Sequence, residues 1–342
     1  MIHGHGDDAY KYLNKIIGDF SSNVPYCHHG DQVAEHIKDN LRCIHNYPDP
    51  SASKLTALLK DHHQLTSAND LLVTNGSAES FYLLGHLFES QRSIVTYPSF
   101  AEYEDACTLY KHKIEFVPIE ALATTKIHQS KTIWFALPNN PDGFIIPIDA
   151  VEELCRKNPD TYIIVDSAYS ELCPGISPIV KLHDQYPNLI TIHSLTKTFA
   201  IPGLRLGYVI ASAKIISQLK HFRLPWSVNS VALIAGEFIV KNYDALQPDA
   251  EALCKESRQF QKKLSQIDGI EVVPSQCSFF LCRLKKGTSA ELKEYLVAQH
   301  GLLIRNADNF RGLTNQHFRI STQGEERNDL LCQAISMYIQ SL

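Results

Sequence analysis

The chain has 342 residues, 44% hydrophobic and 20% charged, an ordinary globular composition with room for two domains and a large core. Lys and Arg number 32 against 37 Asp and Glu, and the net charge of −5 speaks against a nucleic-acid or membrane surface. No run approaches the roughly 18 apolar residues of a membrane span, and nine scattered cysteines without a CxxC pair fit reduced thiols in a cytoplasm.

Along the chain, apolar runs that read as buried strands alternate with longer amphipathic stretches. This predicts an α/β fold with a mostly parallel, doubly wound sheet. The expected strands are 71–73, 93–96, 132–136, 162–165 and 189–192. After Trp226 the character changes. A helical stretch from 230 to 264 is interrupted near Pro248, and short strands at 271–273, 278–283, 302–305 and 318–321 follow, with helices at 289–300 and 326–339. The expected organisation is an arm (1–30) packing with the small domain, a large domain (31–228) and a small α+β domain (229–342). His28-His29 and His62-His63 lack metal-ligand spacing and read as surface residues, so no metal is expected. The start, Met1-Ile-His-Gly-His-Gly6, has neither the basic end nor the apolar core of a secretory signal.

In open parallel sheets, ligands bind beyond the carboxyl ends of the strands, so the residues there are the candidates for chemistry. After the first strand, Thr74-Asn-Gly-Ser-Ala-Glu-Ser80 opens a helical stretch. Gly76 allows close backbone approach, and the amides of Ser77 and Ala78 suit a phosphate as well as a plain capping turn. After the second, Tyr97-Pro-Ser-Phe-Ala-Glu-Tyr103 offers Phe100 to stack on a planar ring, with Tyr103 in reserve; each is equally a core aromatic. The third leads into Leu137-Pro-Asn-Asn-Pro-Asp-Gly143, a turn that can aim Asn140 at a ring oxygen. The fourth ends in Asp166, a helix cap or a partner for a pyridine nitrogen, and Tyr169 follows as a second donor or a half-buried core residue. Upstream, Tyr47 in Asn46-Tyr-Pro-Asp-Pro50 can reach a phosphate or belong to an ordinary loop.

The fifth strand leads into Ser194-Leu-Thr-Lys197 and then Ile201-Pro-Gly-Leu-Arg-Leu-Gly-Tyr208. A lysine preceded by the hydroxyls of Ser194 and Thr196 and followed by Arg205 suits an aldehyde cofactor. Lys197 can hold the aldehyde covalently while Ser194 and Arg205 bind an attached phosphate. Such a cofactor is pyridoxal 5′-phosphate, and a carboxylate at Asp166 would keep its ring an electron sink. Each motif is ambiguous alone. Gly-Ser-Ala, Asn-Pro, Asp-x-x-Tyr and Ser-x-x-Lys in one order, each after a predicted strand, favour the cofactor.

On these motifs the chain resembles the fold-type I pyridoxal-phosphate enzymes, the aspartate aminotransferase superfamily (class I/II), over nearly its whole length. The resemblance implies Lys197, Asp166 and Tyr169 as catalytic residues. It implies Gly76, Ser77, Ala78, Phe100, Asn140, Ser194, Thr196, Arg205 and Tyr47 as further cofactor contacts, and an anion-binding role for Arg319. It also implies a homodimer with shared sites, in which Tyr47 comes from the partner.

Two groups of that superfamily compete, and the whole chain looks more like the second of them. Histidinol-phosphate aminotransferases share Asn46-Tyr-Pro-Asp-Pro50 and Asp166-x-Ala-Tyr169. Threonine-phosphate decarboxylases, which make aminopropanol phosphate for cobalamin, share Asp19-Phe-Ser-Ser-Asn23, Pro98-Ser-Phe-Ala-Glu-Tyr103, Leu224-Pro-Trp-Ser-Val-Asn229 and Ile304-Arg-Asn-Ala-Asp-Asn-Phe-Arg-Gly-Leu313. This chain departs from their pattern at Val24-Pro-Tyr-Cys27, at Ser77 and Ala78, at Asp142, and at Tyr169, where that group often has Phe. The implied substrate pocket is His5, Asn23, Asn140, Arg305 and Arg319. If Arg319 clamps the α-carboxylate in the ring plane, the C–H bond stands perpendicular and transamination follows. If Arg305 and Arg319 instead hold a distal phosphate, the carboxylate is free to stand perpendicular and leave. Arg305 is equally a surface strand residue paired with Asp308.

Overall fold

The computed structural model describes residues 8–12, 15–26, 29–176 and 178–342. Among them the strands are β1 (Gly18–Asp19), β2 (Asn69–Thr74), β3 (Arg92–Tyr97), β4 (Lys113–Pro118), β5 (Thr132–Ala136), β6 (Tyr162–Asp166), β7 (Leu189–Ser194), β8 (Gly207–Ser212), β9 (Ile270–Val272), β10 (Phe279–Leu284), β11 (Leu302–Leu303), β12 (Arg305–Asn306) and β13 (His317–Ser321). β2 through β8 form one sheet in the order β2-β8-β7-β6-β5-β3-β4. Only β8 runs against its neighbours, and the remaining pairings are parallel. The expected mostly parallel α/β sheet is therefore observed.

A parallel sheet must be covered on both faces, and the side chains alternate accordingly. Leu71, Val73, Tyr208 and Ile210 enter one core, whereas Leu72, Val209 and Ala211 enter another on the opposite face. Helix Ala213–Phe222 places Ile215, Ile216 and Leu219 in the second of these. The reversal of β8 matters for the site. Its first residue, Gly207, is the register partner of both Thr74 and Ser194, the last residues of β2 and β7. The segment leading into β8 thus lies on the edge where the parallel strands end.

A second unit holds the antiparallel sheet β12-β13-β10-β9, covered by helices Ala250–Leu264, Ser289–His300 and Glu325–Gln340. Its core contains Phe260, Phe280, Leu292, Phe318 and Leu331. The helix Ser289–His300 starts with a capping box in which Thr288 and Glu291 satisfy each other's backbone amides. β1 pairs in parallel with β11, and Phe20 joins this second core. The helix Ser230–Lys241 falls after the expected boundary at 228, yet its Ala232, Leu233, Ala235 and Ile239 pack with Leu55 and Leu206. It is an apolar helix built into the first unit.

His63, read as a surface residue, joins His183 and His193 in a polar network beneath the sheet. His63 lies 2.7 Å from the Tyr208 hydroxyl, and His183 and His193 each approach Thr191 Oγ1, at 2.9 and 2.8 Å. Burial pushes His183 down to about 3 and His193 well below its ordinary value, with the charges of His63 and His183 adding to the effect on His193. The unfolded chain takes up these protons below about pH 6.5, whereas the folded protein does not. Stability is therefore expected to be full above that pH and to fall as acid is added. The loss is about 2 kcal/mol per buried histidine at pH 5. Asp166, raised to about 6, opposes this by taking up a proton in the folded state. Urea midpoints at pH 7.5, 6 and 5 measure the balance, and a flat profile would contradict it.

Candidate active site

A cavity of about 380 Å³ opens at the carboxyl edge of the large sheet, facing the second unit. It is lined by Ser77, Ala78, Phe100, Asn140, Asp166, Tyr169, Ser194, Thr196, Lys197, Arg205, Arg305 and Arg319, all of them picked out in the sequence. The volume suits a small-molecule ligand.

At the inner end, Asp166 terminates β6 and is 7% exposed. Tyr103 donates its hydroxyl to Oδ2 at 2.6 Å, and the Ala168 amide donates to Oδ1 at 3.0 Å. Burial pushes the carboxyl up to about 6, while these donors and the Lys197 charge hold it down. Tyr103 is thus no stacking ring in reserve. Its hydroxyl is committed to Asp166, and only Phe100 lines the cavity, edge-on to both Phe81 and Tyr103.

Lys197 lies in the short helix Leu195–Thr198. Its Nζ donates to the Ser22 carbonyl at 3.2 Å and stands 5.9 Å from the centre of the Tyr169 ring. Tyr169 packs against Phe279 of β10, with ring centres 4.9 Å apart.

At the other end, Gly76 begins the helix Gly76–Leu87, so the amides of Ser77 and Ala78 belong to its open first turn. Gly76 has φ +76°, and a Cβ there would lie 2.6 Å from Arg205 Nη2. The guanidinium packs directly over the glycine. Gly207 is equally constrained, because a Cβ would stand 2.7 Å from the Ser77 amide nitrogen. These glycines let Arg205, Ser194 and the helix start converge. Thr196 is buried and donates to the Leu206 carbonyl at 3.3 Å, tying the lysine turn to the start of β8.

The outer wall comes from the second unit. Arg305 on β12 and Arg319 on β13 are register partners. Arg319 donates to Asn140 Oδ1 at 2.6 Å and to the Ser21 carbonyl. With its oxygen so engaged, Asn140 has its amide NH2 left to donate elsewhere. Arg305 donates to Asn309 Oδ1 at 2.8 Å, not to Asp308. Burial, then the neighbouring Arg319, pull the Arg305 guanidinium down to about 10.

Other expected residues sit differently. Asn23 is buried and lies outside the cavity lining, and its amide atoms have no partner among the described residues. Tyr47 is 85% exposed, packs against Trp226 and lines a separate cleft, so it cannot serve the site of its own chain. His5 lies outside the described residues. Lining residues given no role in the sequence reading include Ser21, Ser22, Asn309 and Phe310. Their segments, 19–23 and 304–313, carried the resemblance, which was the available signal.

The model of the family described as aminotransferase class I and II matches residues 15–335. The chain belongs to this family. It is 28% identical to threonine-phosphate decarboxylase of Salmonella typhimurium, over 93% of this chain and 90% of that protein. It is 30% identical to histidinol-phosphate aminotransferase of Caldanaerobacter subterraneus, over 92% and 93%. The structure of L-threonine-O-3-phosphate decarboxylase from Porphyromonas gingivalis superposes with a TM-score of 0.92 at 35% identity, covering 95% of this chain and all of that one. This family member is a pyridoxal-phosphate enzyme, and the cavity fits the cofactor. It combines an amine, a buried carboxylate, an aromatic wall and a glycine-floored anion cradle. Among the described residues, no helix is long and apolar enough to cross a membrane.

Proposed function

We propose that the protein decarboxylates a small phosphorylated amino acid, with threonine phosphate as substrate. The pairing of Arg305 with Arg319 carries the reading. A buried and a half-buried guanidinium facing one cavity repel each other until a multiply charged anion joins them, and a phosphate dianion has the charge and the oxygens to do so.

When bound, pyridoxal phosphate supplies the electron sink that stabilises a carbanion at the substrate α-carbon. Asp166 pairs with the pyridine nitrogen at one end. Ser77, Ala78, Ser194 and Arg205 hold the phosphate at the other, and Phe100 covers one face. Asn140 and Tyr169 donate to the ring oxygen. Lys197 Nζ holds the aldehyde before substrate arrives and afterwards carries the proton. With the substrate phosphate on Arg305 and Arg319, neither arginine would be left to clamp the α-carboxylate. The carboxylate would then be released as carbon dioxide, leaving the bonding pair at the α-carbon, where Lys197 Nζ would deliver a proton. Asn23, with its unpartnered buried amide, and His5 are assigned to the substrate side.

The competing reading is an aminotransferase of the histidinol-phosphate type. The Arg319–Asn140 bond favours it, because it sets one guanidinium close to the ring oxygen's donor. Exposed Tyr47, Trp226 and Leu224 support a homodimer in which Tyr47 reaches the partner's phosphate site. The eight described cysteines are free thiols, which supports a cytoplasmic setting.

The holoenzyme incubated with threonine phosphate is expected to release carbon dioxide and aminopropanol phosphate. The parallel assay supplies histidinol phosphate and 2-oxoglutarate and measures glutamate. Glutamate without carbon dioxide would establish the aminotransferase instead.

A further inference from the structure

We propose that Glu104 and Arg311 form a positioning clasp that sets the phosphate selectivity of the site; the inference rests on the substrate reading above. The two residues lie on different units. Glu104 is on the helix Ala101–Leu109 that follows Phe100, and Arg311 is on the turn between β12 and β13. Arg311 Nε donates to Glu104 Oε2 at 3.1 Å and Nη2 to Oε1 at 2.5 Å, a two-pronged pair. The guanidinium also lies 3.8 Å above the centre of the Phe116 ring on β4. Next to it, Gly312 adopts φ +84°, and a Cβ there would come within 2.8 Å of the Tyr97 ring. Glu104, Phe116 and Tyr97 therefore hold this turn against the first unit.

The same turn carries the outer wall of the active site. Asn309 and Phe310 line the cavity, and Asn309 Oδ1 accepts from Arg305. Phe310 lies under the Arg305 guanidinium, 5.3 Å from ring centre to the guanidinium carbon. On the far side of the turn is a second cavity of about 420 Å³, which shares Phe100, Asn309 and Phe310 with the first. The turn is thus a partition. If it moves, Arg305 loses Asn309 and Phe310 and keeps only its bond to the Asn306 carbonyl of its own strand. Arg319 has separate anchors in Asn140 and Ser21. Releasing the clasp therefore removes one of the two phosphate-facing arginines and spares the cofactor end.

A pair in which Arg311 is 43% and Glu104 16% exposed adds little to folding. Its consequence is positional, and the test reads substrate discrimination. Glu104→Gln and Arg311→Gln holoenzymes are compared with wild type on threonine phosphate and on unphosphorylated threonine. The expected result is a rise in KM for threonine phosphate of roughly tenfold, with kcat, the cofactor dissociation constant and activity on threonine nearly unchanged. The swapped double variant, Glu104→Arg with Arg311→Glu, should recover part of the preference. If both substrates lose equally, or the swap is no better than the single variants, the clasp is wrong although the substrate reading stands. A wild type indifferent to the phosphate overturns both.

Discussion

Lys197→Ala is expected to lower turnover roughly 10⁴-fold, the upper range for losing a positioned proton-transfer group, with the fold intact. Nζ projects into the cavity toward the Ser22 carbonyl and contributes nothing to the apolar cores. On the proposed assignments the phosphate is held by Ser77, Ser194 and Arg205, so the cofactor should still bind, now without a covalent bond. Borohydride treatment followed by peptide mass analysis checks this. Wild type should carry the cofactor on the peptide containing Lys197, and the variant should carry none. Its urea midpoint should match that of wild type. Retained turnover would mean that another group does this work.

Asp166→Asn is expected to cost about 3–5 kcal/mol of transition-state stabilisation, equivalent to 10²–10⁴ in turnover, the usual consequence of removing one partner from a buried charge pair. Asparagine preserves the shape and can still accept from Tyr103. It cannot supply the negative charge that keeps a facing pyridine nitrogen protonated. Turnover and the cofactor dissociation constant should therefore both worsen. A variant within a few-fold of wild type on both would show that this carboxylate is only a structural cap for the Ala168 amide.

Most of the cavity was legible because a single topological rule applied repeatedly. Parallel strands end on one edge, and apolar runs such as 162–165 mark those ends, so Asp166, Asn140 and Lys197 could be gathered before any coordinates. Less regular elements escaped. β4 alternates exposed and half-buried residues at the edge of the sheet and lacks a continuous apolar run. Following Arg205, β8 could be read as the tail of a phosphate loop, since nothing local announces an antiparallel strand. The bond from Tyr103 to Asp166 escaped because two aromatics three residues apart at a helix start do not reveal what each one touches. The Ser21 and Ser22 contacts use main-chain carbonyls, which leave no residue-type signature. Arg311 and Glu104 are 207 positions apart, so only the folded chain brings them together.

The convergence of β2 and β7 on Gly207 has a consequence for how the enzyme would cycle. On the proposed assignments, the anchors that one chain supplies to its own coenzyme phosphate belong to one sheet edge, whereas Arg305 and Arg319 ride on a separate sheet. Retention of the coenzyme phosphate then rests on one sheet and traffic of substrate on the other, with the Arg319–Asn140 bond linking them. Product can depart by loosening the second unit while the coenzyme stays moored for the next turnover.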